Sequence, residues 1–265
     1  MRAMLTMVLM GMAAVAWAAA AKEAAPGAAD APPKPAAEKA EPAYAPTADY
    51  EVRTIEGWTV RVHKDVVAKK DLAEATLKQV GLQLYNVTRK VPAPAVERLR
   101  QVVIWVEENP KVTCMCYHPS RGWLEANGFN PEKAKSVELG GPRHFLDWTK
   151  HQWSMVLHEL AHAYHHQVLG YDQPDIRAAY EKAKAAGSYE SVLYLTGETK
   201  RAYALNNDQE YFAELTEAWF GTNDFYPFVR AEAMKHDPEM AEVLKKVWVE
   251  RWKTPEPKPA AEPAK

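Results

Sequence analysis

Cysteine is almost absent from this chain: Cys114 and Cys116 are the two thiols among 265 residues. Half-cystines separated by one residue would close only a small, strained ring, which excludes a disulfide framework as the source of stability. Three readings of the pair remain: a local disulfide, free thiols, or a thiolate that reaches a metal and silences it. A surplus of positive charge is missing too. Lys and Arg total 33 against 35 Asp and Glu, a formal net charge of −2, so the clustered basic field of a nucleic-acid partner is not expected. Long apolar runs occur in one place. Arg2 precedes an uncharged stretch from Met4 to Val15 and then Ala16-Trp17-Ala18, the layout of a secretory signal peptide over residues 1–18. Export to an extracytoplasmic space, secreted or periplasmic, is the expectation. Left uncut, the segment extends through Ala21 and would reach membrane-spanning length, making it an anchor. No cysteine follows it, which argues against a lipoprotein. Large apolar side chains are scarce in residues 19–48, rich in Ala, Pro, Lys and Glu, and again in residues 254–265. Neither stretch can bury enough surface to offset its ordering entropy. They read as a flexible leader and tail around one domain, residues 49–253, long enough for a single core.

Against these absences stands His158-Glu159-Leu160-Ala161-His162. Two imidazoles four positions apart share one helix face and can grip one zinc ion, which still needs a third protein ligand and a water. Glu159, between them, is placed to act as base. From His151 to about Leu169, Trp153, Val156, Leu157, Leu160, Ala161, Tyr164 and Val168 recur at helical spacing and define a core-facing stripe. His158, His162 and His165 project to the opposite side, and Gly170 supplies a stop. His165 lies about 10 Å along the axis from His158, too far to share its zinc. It and His166 read as outer, substrate-facing or exposed residues. The continuation expected of metzincins is missing, since His165 and Val168 occupy the required glycine and histidine positions.

A third ligand is therefore sought elsewhere. Asn207 is a good N-cap, with Glu210 three residues on as in a capping box, and Gly221 a good terminator. Phe212, Leu215 and Trp219 mark the buried side of the helix between them, and Glu210, Glu214 and Glu217 line up on the other. Alone, three stacked carboxylates read as a water-facing stripe. Beside an incomplete two-histidine site, a carboxylate from a separate helix approaches from the direction the first helix cannot supply. Gly221-Thr-Asn-Asp224 echoes the Gly-Thr-x-Asp of aspartate-liganded zincins but lacks the closing Tyr-Gly, so Asp224 reads as a loop residue.

His-Glu-Leu-Ala-His, then Tyr203, then Glu210 seven residues later within Glu-Tyr-Phe-Ala-Glu, resembles the catalytic domain of anthrax lethal factor and its bacterial relatives, gluzincin zinc metallopeptidases. The likeness covers roughly Trp153 to Gly221. It implies a zincin-like domain that binds Zn2+ through His158, His162 and Glu210 and hydrolyses a peptide or protein substrate. It further implies Glu159 as general base and Tyr203 as a hydroxyl that helps hold the oxyanion. Glu214, one turn after Glu210, would accept a hydrogen bond from a ligand histidine. A noncatalytic binding protein that keeps its zinc, or a zinc hydrolase of nonpeptide amides, are the rival readings.

Periodicity supplies the remaining architecture, an α+β domain with a small sheet packed on the zinc helix and a helical C-terminal half. Short strands are expected around Gly57 between Tyr50 and Val66, a helix from Asp71 to Lys90, a β-rich run at Gln101–Val106 and a strand at Ser136–Leu139. Asn86-Val87-Thr88 has the form of a glycosylation acceptor but sits in that helix and reads as structural. By resemblance, substrate peptide would lie against Ser136–Leu139 as a sheet edge. Trp148, Trp153, Trp219, Trp248 and Trp252 read as core residues.

Overall fold

The alternation on either side of Gly57 produces a hairpin, in which β1 (Tyr50–Ile55) and β2 (Trp58–His63) pair antiparallel. A computed structural model describes residues 44–253. The signal-peptide segment, most of the leader and the 254–265 tail lie outside the described residues. After the hairpin come α1 (Lys64–Ala68), the long α2 (Lys70–Lys90) and α3 (Ala93–Leu99), followed by β3 (Ile104–Val106) and β4 (Met115–His118). Then follow α4 (Arg121–Ala126), β5 (Ser136–Leu139) and α5 (Pro142–Trp148).

These five strands form one mixed sheet in the order β1-β2-β3-β5-β4, parallel at β2–β3 and β3–β5 and antiparallel at both ends. Successive side chains alternate between faces, so the register sorts them into rows. Val60, Ile104, Val137 and Tyr117 form one row and Val62, Val106, Leu139 and Met115 the next. Both rows belong to the main core, as do Val80 and Leu84 of α2. The other face presents Arg61, Trp105, Glu138 and Cys116 in register. Ser136–Leu139 is a strand as expected, but an interior one, flanked by β3 and β4; the edge nearest the motif helix is β4. The sequence hides this because Met-Cys-Tyr-His carries little β-branched character. Just past the end of β5, beside the residues that lead into β4, a Cβ on Gly141 would sit 2.0 Å from the Thr113 carbonyl oxygen, so only glycine permits the approach that gives Cys114 O its bonds from Gly140 N and Gly141 N.

The C-terminal half is mostly helical: α6 (Met155–Tyr164), α7 (Pro174–Ala185), a small hairpin of β6 (Val192–Leu193) and β7 (Thr199–Lys200), α8 (Asp208–Phe220), α9 (Arg230–His236) and α10 (Pro238–Leu244). The motif helix starts at Met155 rather than His151, and Trp153, expected on its core stripe, is 48% exposed ahead of it. Its N-terminus has no side-chain cap of its own. Buried Gln83 of α2 accepts the Val156 N–H at 2.8 Å instead. After Tyr164 the chain makes one π-helical turn, His165–Leu169, and stops at Gly170 with φ 84°. Trp248 wedges α6 to α8: its ring stacks on Tyr164 at 3.8 Å between centroids and lies 5.9 Å from Phe212, and its N–H donates to Thr216 Oγ1. Trp219 is likewise buried, as the sequence reading holds.

Candidate metal centre

α6 is a buried helix packed along α8, whose residues from Tyr211 to Phe220 are all buried. The carboxylate stripe of α8 is therefore not solvated; it faces α6. A Cβ on Gly221 would meet Ser154 Oγ at 2.6 Å, so glycine lets the end of α8 come close to the start of α6. Asn207 caps α8 as its position implies, accepting from the backbone N–H of Gln209 and of Glu210 at 3.0 and 2.8 Å. Glu210 does not return its side chain to the cap. Its Oε2 turns instead toward the histidines, 3.1 Å from His158 Nε2 and 3.2 Å from His162 Nε2.

Three donor atoms thus converge from two helices, and His158, His162 and Glu210 form a group that can hold a metal ion. The donor set fits zinc. A tetrahedral ion with ligand bonds of about 2.0–2.2 Å places its N and O donors about 3.3 Å apart, within a few tenths of what is seen. Glu159 lies on the same helix between the two histidines and is nearly buried.

The other ring nitrogen of His158 settles how the imidazole is held. Nδ1 is 2.8 Å from Glu217 Oε1 and 3.7 Å from Glu214 Oε1. The hydrogen-bonding partner is thus Glu217, one turn beyond the residue that the resemblance implied, and Glu214 Oε2 has no partner. Burial opposes charge on His158, but hydrogen bonds to Glu210 and Glu217 and the charges of Glu217 and Glu159 outweigh it, raising its pKa well above the ordinary value. Glu210 moves the opposite way. Burial would raise it, but the His162 charge and bonds to both histidines hold it well below the usual carboxylate range. Asp224 is not a simple loop residue: it is buried beside this cluster, with Gln152 Nε2 donating to Oδ2 at 3.2 Å. Burial raises the pKa of Glu214, Glu217 and Asp224, and repulsion from the neighbouring carboxylates adds to it at Glu214 and Glu217. So many carboxylates in a dry pocket create a demand for cations.

Tyr203 sits in a short 3-10 turn, Tyr203–Leu205, that feeds α8, and its ring centroid is 6.4 Å from that of His158. Burial, then the charge of Glu210, pushes its pKa up to about 12, so it is a hydroxyl donor at neutral pH. The two histidines after the motif part company. His165 is fully buried between Tyr171 and Phe212, and neither ring nitrogen has a partner, which rules out a substrate-facing role. Its backbone N–H bonds to Ala161 O as in a regular helix, so it keeps the face of His158 and His162, and that face is covered here by Tyr171 and by Phe212 of α8. His166 is half-buried, with Nδ1 2.8 Å from the Tyr117 hydroxyl of β4 and its ring stacked on Tyr171. Both cysteines are free. Burial, then the charge of Glu159, pushes the Cys114 thiol up to about 12, and burial, then the charges of Glu138 and Glu159, raises Cys116 well above its ordinary value. Both are protonated thiols, Cys114 against Met155 of the motif helix and Cys116 on the other face of the sheet beside Glu138.

No known protein family, curated protein or solved structure matches this chain.

Proposed function

We propose that the protein is an exported zinc-dependent metallopeptidase of gluzincin type, with a zincin-like fold and with His158, His162 and Glu210 as its zinc ligands. The observation that carries this reading is the convergence of His158 Nε2, His162 Nε2 and Glu210 Oε2 beside Glu159. A zinc ion held by His158, His162 and Glu210 would supply Lewis acidity at this point. Glu159 would take a proton from the attacking water as the water oxygen bonds to the scissile carbonyl carbon, and pass it to the amide nitrogen as the C–N bond breaks. The Tyr203 hydroxyl donates a hydrogen bond to the developing oxyanion. Glu217 fixes the tautomer of His158 by accepting from Nδ1, leaving Nε2 as the ligand atom.

The substrate is a peptide or protein, and its backbone pairs with the outer side of β4. Cys114 O and His118 O point inward to bonds from Gly140 and Lys135 N–H groups, so by strand alternation the polar groups of Met115 and Tyr117 point outward. No strand pairs with that side among the described residues. The purified mature protein, incubated with a diverse peptide library, should cleave peptides and lose that activity to a chelator. Glu159→Gln should abolish turnover and keep its zinc, because the residue is a base and not a ligand. Chelator-insensitive cleavage, or full activity in Glu159→Gln, would overturn the mechanism, and zinc binding without turnover would favour the noncatalytic alternative.

A further inference from the structure

The face of the sheet turned away from the α6 core carries a second convergence of donors. Cys116 and Glu138 are directly opposite in the β4–β5 ladder and His118 follows two residues along β4, so all three side chains leave the same face of two paired strands. Cys116 Sγ is 3.5 Å from His118 Nε2, which is 2.6 Å from Glu138 Oε2, and the three donor atoms lie within 4.8 Å of one another. We propose that Cys116, His118 and Glu138 form a second metal site, selective for a thiophilic divalent cation of the zinc type, with solvent at the fourth position.

Geometry favours this chemistry. In a tetrahedral zinc site with bonds of about 2.3 Å to sulfur and 2.0–2.1 Å to nitrogen, the S···N edge is about 3.5 Å, the separation already present. The N···O edge would be about 3.3 Å, so Oε2 has to withdraw by about 0.7 Å as the ion replaces the hydrogen bond. Glu138 is oriented for such a role. Its Oε1 accepts from Asn109 Nδ2 at 2.7 Å and pairs with Lys133 Nζ at 2.9 Å, which leaves Oε2 to face the other two donors. Charge balance points the same way. Lys133 is the ammonium between two buried carboxylates, Glu107 and Glu138, so with Cys116 as a thiol and His118 as the neutral ring that a ligand must be, the lysine and the two acids sum to one negative charge. A divalent cation entering as the Cys116 proton leaves brings that sum to zero, which is what a buried network requires. A His118–Glu138 ion pair alone would give Cys116 no part.

Sulfur makes the test specific, because the first centre offers only nitrogen and oxygen donors. Metal-free full-length protein titrated with Co2+ should bind two equivalents and develop a thiolate-to-cobalt charge-transfer band in the near ultraviolet. Cys116→Ser should lose that band and one equivalent, while Cys114→Ser keeps both. His158→Ala, His162→Ala should keep the band and lose the other equivalent, so failure of the peptidase reading and failure of this one are distinguishable. Absence of the band in folded wild-type protein overturns the proposal without reference to any variant. So does a band that survives Cys116→Ser or disappears with Cys114→Ser.

Discussion

His158 is gripped at both nitrogens, by Glu210 on one side and Glu217 on the other, and the two contacts have different consequences. An acceptor on the far nitrogen orients the ring and raises its basicity, and losing such a partner typically weakens metal binding roughly 10- to 100-fold. Glu217→Gln is therefore expected to reduce zinc affinity by that factor, measured by competition with a chromophoric chelator. Glu214→Gln, altering a carboxylate 3.7 Å from the same nitrogen, should change it far less. The reverse order would return the supporting role to Glu214. His165 offers a test of stability against pH. Burial, with minor repulsion from His162 and His166, lowers its pKa to about 3, below an unfolded value of about 6.5. The folded state thus holds it neutral. The stability this contributes is present above pH 6.5 and is lost as pH falls toward 3, by up to about 1.4 kcal/mol per pH unit. His165→Leu should remove that slope and, by eliminating two unpartnered nitrogens, raise stability at neutral pH by roughly 1–3 kcal/mol. Denaturant unfolding at several pH values checks both; an unchanged acid slope in the variant would mean that another group governs it.

At the level of elements, α8 carries the third donor, and Asn207 holds its first turn. Asn207→Ala should cost about 1 kcal/mol and weaken zinc binding, because it frees the backbone of Glu210, while Asn207→Ser should retain both; thermal unfolding and metal competition distinguish the two. Caps and amphipathic spacing are local properties, which is why the His158–His162 pair, the Asn207 cap and the stop at Gly170 were legible from sequence. Pairings between distant segments were not. Ser136–Leu139 reads as a strand, but whether it lies inside the sheet depends on a partner, Met115–His118, with almost no strand signal of its own. Glu214 and Glu217 share a helix face, so the choice between them rests on where α6 crosses α8. The burial of His165 depends on Tyr171 and Phe212, which cover the helix face it shares with His158 and His162, and no spacing within one helix reveals such a cover.

For the whole domain, a metal held by His158, His162 and Glu210 joins helices whose ligands are 48 residues apart at the nearest, so binding and folding are linked. At free zinc 100 times the dissociation constant the linkage is worth about 2.7 kcal/mol, which for a domain of this size is roughly 5–10 °C in melting temperature. Chelation should lower the melting temperature by that amount, and Glu210→Gln should shrink the shift. An identical chelator effect in that variant would place the stabilising metal elsewhere. The wedge between the same helices adds a dimension of time. Protein synthesis proceeds from the N-terminus, and Trp248 leaves the ribosome about thirty residues after the end of α8. Until then the histidines and the glutamate belong to helices without the indole that packs them together. A nascent chain thus carries these donors unassembled, and the three meet only when almost the entire domain is free to close around them.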